Sequence, residues 1–498
     1  MGYILGIDIG TGSTKAVAVN LDLEAISVSQ FYYPTFSVKS GYSEQDPELI
    51  FEAFQNSIQE ILHKLGESPI AICLSSAMHS LIPVDVNGNK LHNMMTWADA
   101  RSDEIAIGLK DSFNGRMIYE TSGMPLHAMS PLCKIIWIRE NMSDIFNSTY
   151  KFISIKEYIW FKLFGEYTID HSTACSTGMF DILSLQWSAP ILKMAGITED
   201  QLSKPVGTGY SIKGIGSSGK MMTGISENTS VIIGASDGCL ANVGSFAVHS
   251  GIAALTIGTS GAVRISSNKP IFNHEAMTFS YCLDENTFIC GGAVNNGGNI
   301  LQWLVRDFLG KTPDTKSYKE LFDQVETINA GSEGLLFLPY LNGERAPIWD
   351  AKSCGSFFGI KSKHTQAHFS RAVMEGICFA LNDVLEAVAK NAEEIEQINV
   401  SGGFVNSPTW MQILADITGK KLMMVQTEDA SAIGAAFLAM KSIGLNDGNY
   451  PSRPENGKCS IIEPDMINHL IYSKNFLIFK ELYSNLKDTM HKLHLINS

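Results

Sequence analysis

The chain has 498 residues, 45% hydrophobic and 18% charged, with a formal net charge of −14. That length exceeds one ordinary hydrophobic core, so two large domains are expected. The acidic balance and the lack of any basic run exclude a nucleic-acid partner. No apolar run nears the roughly 20 residues of a membrane span, which excludes an integral membrane protein of the helical kind.

From the N-terminus, residues 4–8, 16–20 and 25–32 read as a meander of strands. No basic segment or small-residue cleavage site precedes them, so no signal peptide is expected. The stretch 5–17, LGIDIGTGSTKAV, holds an apolar strand, a glycine turn and a second strand. Gly10 and Gly12 permit a turn with positive φ. Thr11, Gly12, Ser13, Thr14 and Lys15 form a small, hydroxyl-rich hairpin suited to phosphate oxygens. Asp8 stands just before the turn, where a carboxylate can hold hydrated Mg²⁺. The motif is not a Walker A loop, which requires GxxxxGK[ST].

Residues 47–65 follow as a helix, with apolar residues at helical spacing. A buried strand is predicted at 70–75, then a hairpin of 81–85 and 91–94 about Asn87-Gly88. Met78, His79, Trp97, Asp99 and Arg101 are polar or bulky residues set in apolar stretches. They suit a polyol platform; a core histidine and a surface ion pair explain them equally.

The run 231–233 reads as a strand ending in GASDG, 234–238, with a helix over 241–246. Asp237 thus lies at a strand end, where open α/β sheets keep their sites. It can act as a general base toward a hydroxyl in phosphoryl transfer. Taken alone, a helix-capping aspartate explains it as well.

A relative of the first hairpin returns at 255–263 as LTIGTSGAV, with Thr256 in the place of Asp8. Gly258 and Thr259 form its turn. A helix is predicted over 370–391 and a strand over 398–400. SGGFVN at 401–406 then forms a turn that lets backbone approach a ligand, ahead of a helix from Ser407 and Pro408 to Gly419. Another helix covers 431–440. The repeat divides the chain into residues 1–248 and 249–498, with a site expected between them. The nine cysteines are scattered without a CxxC pair, which reads as reduced thiols in a cytoplasmic protein and no zinc site.

Two longer segments carry a resemblance. Residues 129–141, MSPLCKIIWIREN, match one signature of the FGGY carbohydrate kinases. GSFFGI at 355–360, followed after seven residues by HFSRAVME at 368–375, matches the other. The resemblance implies an α/β fold of two ribonuclease-H-like domains, as in actin-like ATPases, with a nucleotide cleft between them. It implies ATP and Mg²⁺ as cofactors, with the sugar on the first domain and the nucleotide on the second. Asp8 resembles the Mg²⁺-site aspartate, acting through water, and Asp237 the catalytic base. Gly258 and Thr259 resemble the second phosphate loop, and Gly402, Gly403 and Asn406 the region around adenosine.

Within the family, SSAMHS (75–80), TWADARS (96–102), IKEY (155–158), GAVNNGG (292–298) and GERAP (343–347) look most like gluconate-phosphorylating members. They point to Met78, His79, Trp97, Asp99, Asp237 and Asn295 around the substrate. Lys156, His79 and Arg345 are the candidates for a substrate carboxylate. A pentulose such as xylulose is the alternative acceptor, and a homodimer is the oligomeric expectation. A non-catalytic nucleotide-binding module would need a peptide-binding domain or a basic DNA-binding segment, and neither is visible.

Overall fold

The structure is a computed structural model and describes residues 2–215, 224–425, 429–446, 448–451 and 460–497. Among these residues two large sheets organise the molecule. The first has six strands in the order Ser211–Lys213, Ser230–Ser236, Ala71–Ser76, Ile4–Ile9, Ser13–Val19 and Ala25–Tyr32. The second has seven: Phe279–Asp284, Thr287–Val294, Gly261–Ser267, Ile252–Ile257, Gln397–Ser401, Lys421–Met424 and Ile461–Ile462. Ile4–Ile9 pairs antiparallel with the strand that follows it and parallel with Ala71–Ser76. Ile252–Ile257 repeats this, pairing antiparallel with its follower and parallel with Gln397–Ser401.

Both faces of Ile4–Ile9 are covered, which explains its near-continuous apolar run. Leu5, Ile7 and Ile9 pack with Ile50, Phe54 and Ile58 of the helix Pro47–Leu65. That helix has its predicted bounds: Asp46 caps the Glu48 amide and Gly66 closes it in the left-handed conformation. The opposite face meets the helix Ala430–Ser442. A Cβ on Gly6 would fall 1.9 Å from the Ala432 carbonyl oxygen. The same helix crosses Asp237–Gly244, where Cβ atoms on Gly244 and Gly434 would strike the Ala430 and Leu240 carbonyls at 1.9 and 2.0 Å. Glycine therefore allows backbone-to-backbone packing where the two halves of the chain meet.

Of three local expectations, one holds and two need revision. The predicted hairpin at 81–94 is present: Leu81 bridges Met95, Val84 bridges Lys90, and the Leu91 amide donates to the Pro83 carbonyl. Ile82–Val84 pairs with Lys151–Ile153, and Met94–Met95 with Glu44–Gln45. Ile82–Val84 and Met94–Met95 are buried, and these outer strands complete the pairing of their backbone groups. The long helix runs Gln366–Ala389, earlier than predicted, because Thr365 and His368 cap it reciprocally. The helix after GASDG begins at Asp237 itself. The eight described cysteines are unbridged, and Cys459 lies outside the described residues. No described helix is long and apolar enough to cross a membrane.

Candidate active site

A cavity of about 350 Å³ opens between the two sheets. Thr11, Met78, His79, Trp97 and Asp237 line it from the first half, and Gly258, Arg264, Tyr281 and Arg345 from the second. Asp237 owes its place to a bulge in the preceding strand. The register against Ala71–Ser76 shifts between Ile232 and Ala235, and Gly234 has a φ of 74°. A Cβ there would fall 1.8 Å from the Leu74 carbonyl oxygen, so glycine is required. The Asp237 carboxylate accepts the Gly238 amide at 2.7 Å. Burial raises its pKa, and the positive charge of Arg264 opposes the rise.

His79 is held with a φ of 66°, and its Nδ1 lies 2.9 Å from the Ser176 carbonyl oxygen. Burial pulls the imidazole down to about 3, so the ring is neutral at pH 7. A carbonyl partner assigns the proton to Nδ1, which leaves Nε2 as an acceptor for a hydroxyl. Trp97 donates from Nε1 to Thr11 Oγ1 at 2.8 Å, and the Arg345 guanidinium lies 5.4 Å from its ring centroid. Beneath both loops, fully buried Lys134 donates to the carbonyls of His79 and Thr96 at 2.6 and 2.7 Å. Lys134 belongs to the first signature segment and ties the His79 loop to the Trp97 loop.

The two hairpins face this cavity with different equipment. In the first, Asp8 sits opposite Ser75 and accepts its hydroxyl at 3.0 Å. Burial raises the Asp8 carboxyl to about 7, and the negative charge of Asp237 adds to the rise. In the second, the hydroxyls of Thr256 and Ser401 meet at 2.9 Å in the equivalent register. Among the described residues, the amides of Thr11, Gly12 and Thr259 have no acceptor, so they can serve a ligand. The first turn does not use positive φ at Gly10 or Gly12, contrary to expectation, and neither does the second at Gly258. Gly12 has a different use: a Cβ there would meet nothing within 4 Å, so the missing side chain keeps the space above the turn open.

A second cavity, about 890 Å³, lies on the far side of the second hairpin. Ile257, Leu301, Tyr318, Phe322, Phe404 and Trp410 give it apolar walls, and Gly403 and Asn406 lie along it. Gly402 adjoins it with a φ of 105°, where a Cβ would fall 2.2 Å from the Ile257 carbonyl oxygen. Gly258 lines both cavities.

Several predicted residues are not brought to either cavity. Ser13 accepts from Gln30, Thr14 is buried beside Tyr33, and Lys15 pairs with Asp429 at 2.6 Å. Asp99 accepts from Arg101 at 2.7 and 2.8 Å and from the Ser43 amide at 2.8 Å. Arg101 in turn lies 3.8 Å over the Tyr42 ring, so Asp99 supports the wall rather than forming it. The Asn295 side chain donates to the Asn342 carbonyl. Lys156 is buried against Asp170 at 2.5 Å. Conversely, Arg264 and Tyr281 line the cavity and were not anticipated. Arg264 had a signal: it is the one charged residue in 252–267.

Two sheets of one topology, each ending in a glycine hairpin at a shared cleft, define the actin-like ATPase class of fold. The family model described as the FGGY family of carbohydrate kinases, N-terminal domain, matches residues 3–244, and its C-terminal counterpart matches 253–443. The chain belongs to the FGGY family of carbohydrate kinases. It is 38% identical over 453 residues to the gluconokinase of Bacillus subtilis (strain 168), covering 89% of this chain and 88% of that one. The crystal structure of gluconate kinase from Lactobacillus acidophilus superposes with a TM-score of 0.93 at 34% identity, covering 99% of each chain. The ligand-bound xylulose kinase from the same organism also gives 0.93, at 35% identity, covering 99% of this chain and all of that one.

Proposed function

We propose that this kinase transfers the γ-phosphoryl group of ATP to the terminal hydroxyl of D-gluconate, giving 6-phosphogluconate and ADP. The observation that carries the reading is Gly258, common to both cavities, with Asp237 facing the smaller one. A nucleotide whose base occupies the larger, apolar cavity would pass its phosphates over the Gly258 turn toward Asp237. In this reading Asp237 accepts the hydroxyl proton as the phosphoryl group departs in line. Neutral His79 accepts a substrate hydroxyl, and Trp97 forms the floor of the polyol site. The amides of Thr11, Gly12 and Thr259 hold phosphate oxygens, while Gly402, Gly403 and Asn406 border the adenosine. Residues 1–248 serve as the sugar-side domain and 249–498 as the nucleotide-side domain.

The residues present also fit a magnesium ion. Asp8 is a buried carboxylate repelled by Asp237, and a cation would relieve both penalties. Among the described residues there is no group of three or more metal-ligating side chains. An ion at Asp8 would be held by that one carboxylate, water and nucleotide phosphates. When bound, Mg²⁺ supplies neutralisation of the β- and γ-phosphate charge.

The gluconokinase relative supports gluconate as the acceptor; the xylulose kinase likeness makes a pentulose the rival. Phosphorylation rates on gluconate, xylulose, ribulose and glycerol test the choice. Gluconate is expected to give the highest kcat/KM, and a higher value for xylulose would transfer the assignment to the pentulose.

A further inference from the structure

Two buried arginines line the sugar cavity with hydrogen-bond donors to spare. Of the residues lining it, Asp237 supplies the one negative charge, against the guanidinium groups of Arg264 and Arg345. Each arginine has a buried Nε without a hydrogen-bond partner among the described residues. Arg264 reaches from its strand across the cleft to Gly238, and a Cβ placed on Gly238 would lie 3.3 Å from its Nε. Among the described residues the Arg345 guanidinium makes one hydrogen bond, to the Val294 carbonyl at 3.1 Å, and otherwise lies over Trp97. Burying a guanidinium group with unmet donors is costly, and two that repel each other across a cavity cost more.

The charge of Asp237 favours the Arg264 guanidinium and that of Glu344 the Arg345 guanidinium, but neither carboxylate fills the unmet Nε donors. The oxygens of Glu344 accept the amides of Asn295 and Arg345 and the Asn296 side chain, not the Arg345 guanidinium. His79 is neutral and adds no charge of its own. Lys156, a candidate from sequence, is committed to Asp170 outside the cavity.

We propose that Arg264 and Arg345 form a carboxylate subsite that selects a sugar acid over a neutral polyol. Guanidinium donors suit a carboxylate because several N–H groups can meet its two oxygens at once. The anion at one end of the substrate fills the unmet donors, while the hydroxyl at the other end reaches Asp237. This inference rests on the gluconate reading above and adds the residues that enforce it.

The test compares D-gluconate with D-glucitol, the same carbon chain with a hydroxymethyl group replacing the carboxylate. The readout is the ratio of kcat/KM for the two compounds in the parent and in Arg264→Met and Arg345→Met. Each variant is expected to lower the gluconate-to-glucitol ratio at least tenfold, and Arg264→Lys to retain part of it. The ATP KM from the same assays reports that the variants are folded. A parent that does not phosphorylate gluconate overturns the functional reading itself. A parent that does, with a ratio within threefold of its own in either Met variant, overturns the carboxylate subsite alone. Calorimetric titration of gluconate without nucleotide provides a second measure, with weaker binding expected in both Met variants.

Discussion

The two glycine hairpins are copies in topology and opposites in electrostatics. At matching register the first has Asp8 against Ser75, and the second has Thr256 against Ser401. Each pair makes one hydrogen bond, at 3.0 and 2.9 Å. The first keeps a charge that burial disfavours; the second replaces it with a hydroxyl that needs none. A duplicated backbone can thus be kept for phosphate contact in both halves, while the costly carboxylate is retained in one. The lesson is that repetition of a fold does not imply repetition of a role.

The largest expected effect lies beside this contrast, at Asp237. Asp237→Asn keeps the shape and loses the proton acceptor, so kcat should fall by about 10³-fold with ATP binding nearly unchanged. Near-parental turnover would remove Asp237 as the base. The contrast itself is tested by pairing Asp8→Ala with Thr256→Ala. The first should cost about 10²-fold in kcat and alter the Mg²⁺ dependence, since a metal contributes several kcal/mol of charge stabilisation. The second should stay within about threefold, the scale of one neutral hydrogen bond. Equal losses would show that the hairpins share one role.

A smaller effect is expected where the sugar-side loops are tied together. Lys134→Met leaves the His79 and Thr96 carbonyls without their buried donor. The sugar KM should rise about tenfold, with the ATP KM little changed. Unchanged KM values for both substrates would make Lys134 a packing residue alone.

These residues also mark what could be read from sequence. The placement of Asp237, Gly258 and Gly403 at the cavities was legible because local patterns define them: an apolar strand, a glycine and a polar residue at the strand end. Trp97 and His79 were legible as out-of-place residues in apolar runs. Asp99 misled because its partners, Arg101 and Ser43, satisfy it completely, and only folding brings Ser43 there. Ser13 and Thr14 misled for a related reason. Strand alternation turns successive side chains to opposite faces, so a hydroxyl-rich stretch cannot present every hydroxyl to one ligand. Arg264 was missed because a lone arginine in a strand gains meaning only from the opposing sheet.

The second half does bury a carboxylate, but one layer behind its hairpin, at Glu344. It accepts the amides of Asn295 and Arg345 at 2.5 and 2.8 Å and the Asn296 side chain at 2.9 Å. Burial raises it from 4.5 to about 7 despite these donors. Between those values the folded protein holds a proton that the unfolded chain releases, so stability falls as pH rises from about 4.5 to 7. Glu344→Gln lacks that titration. Whatever the variant loses in hydrogen-bond strength, its stability relative to the parent should improve by about 2 kcal/mol between pH 5 and pH 8. Urea unfolding at the two pH values measures the difference. A gap between variant and parent that does not change with pH would mean that Glu344 is already ionised when buried.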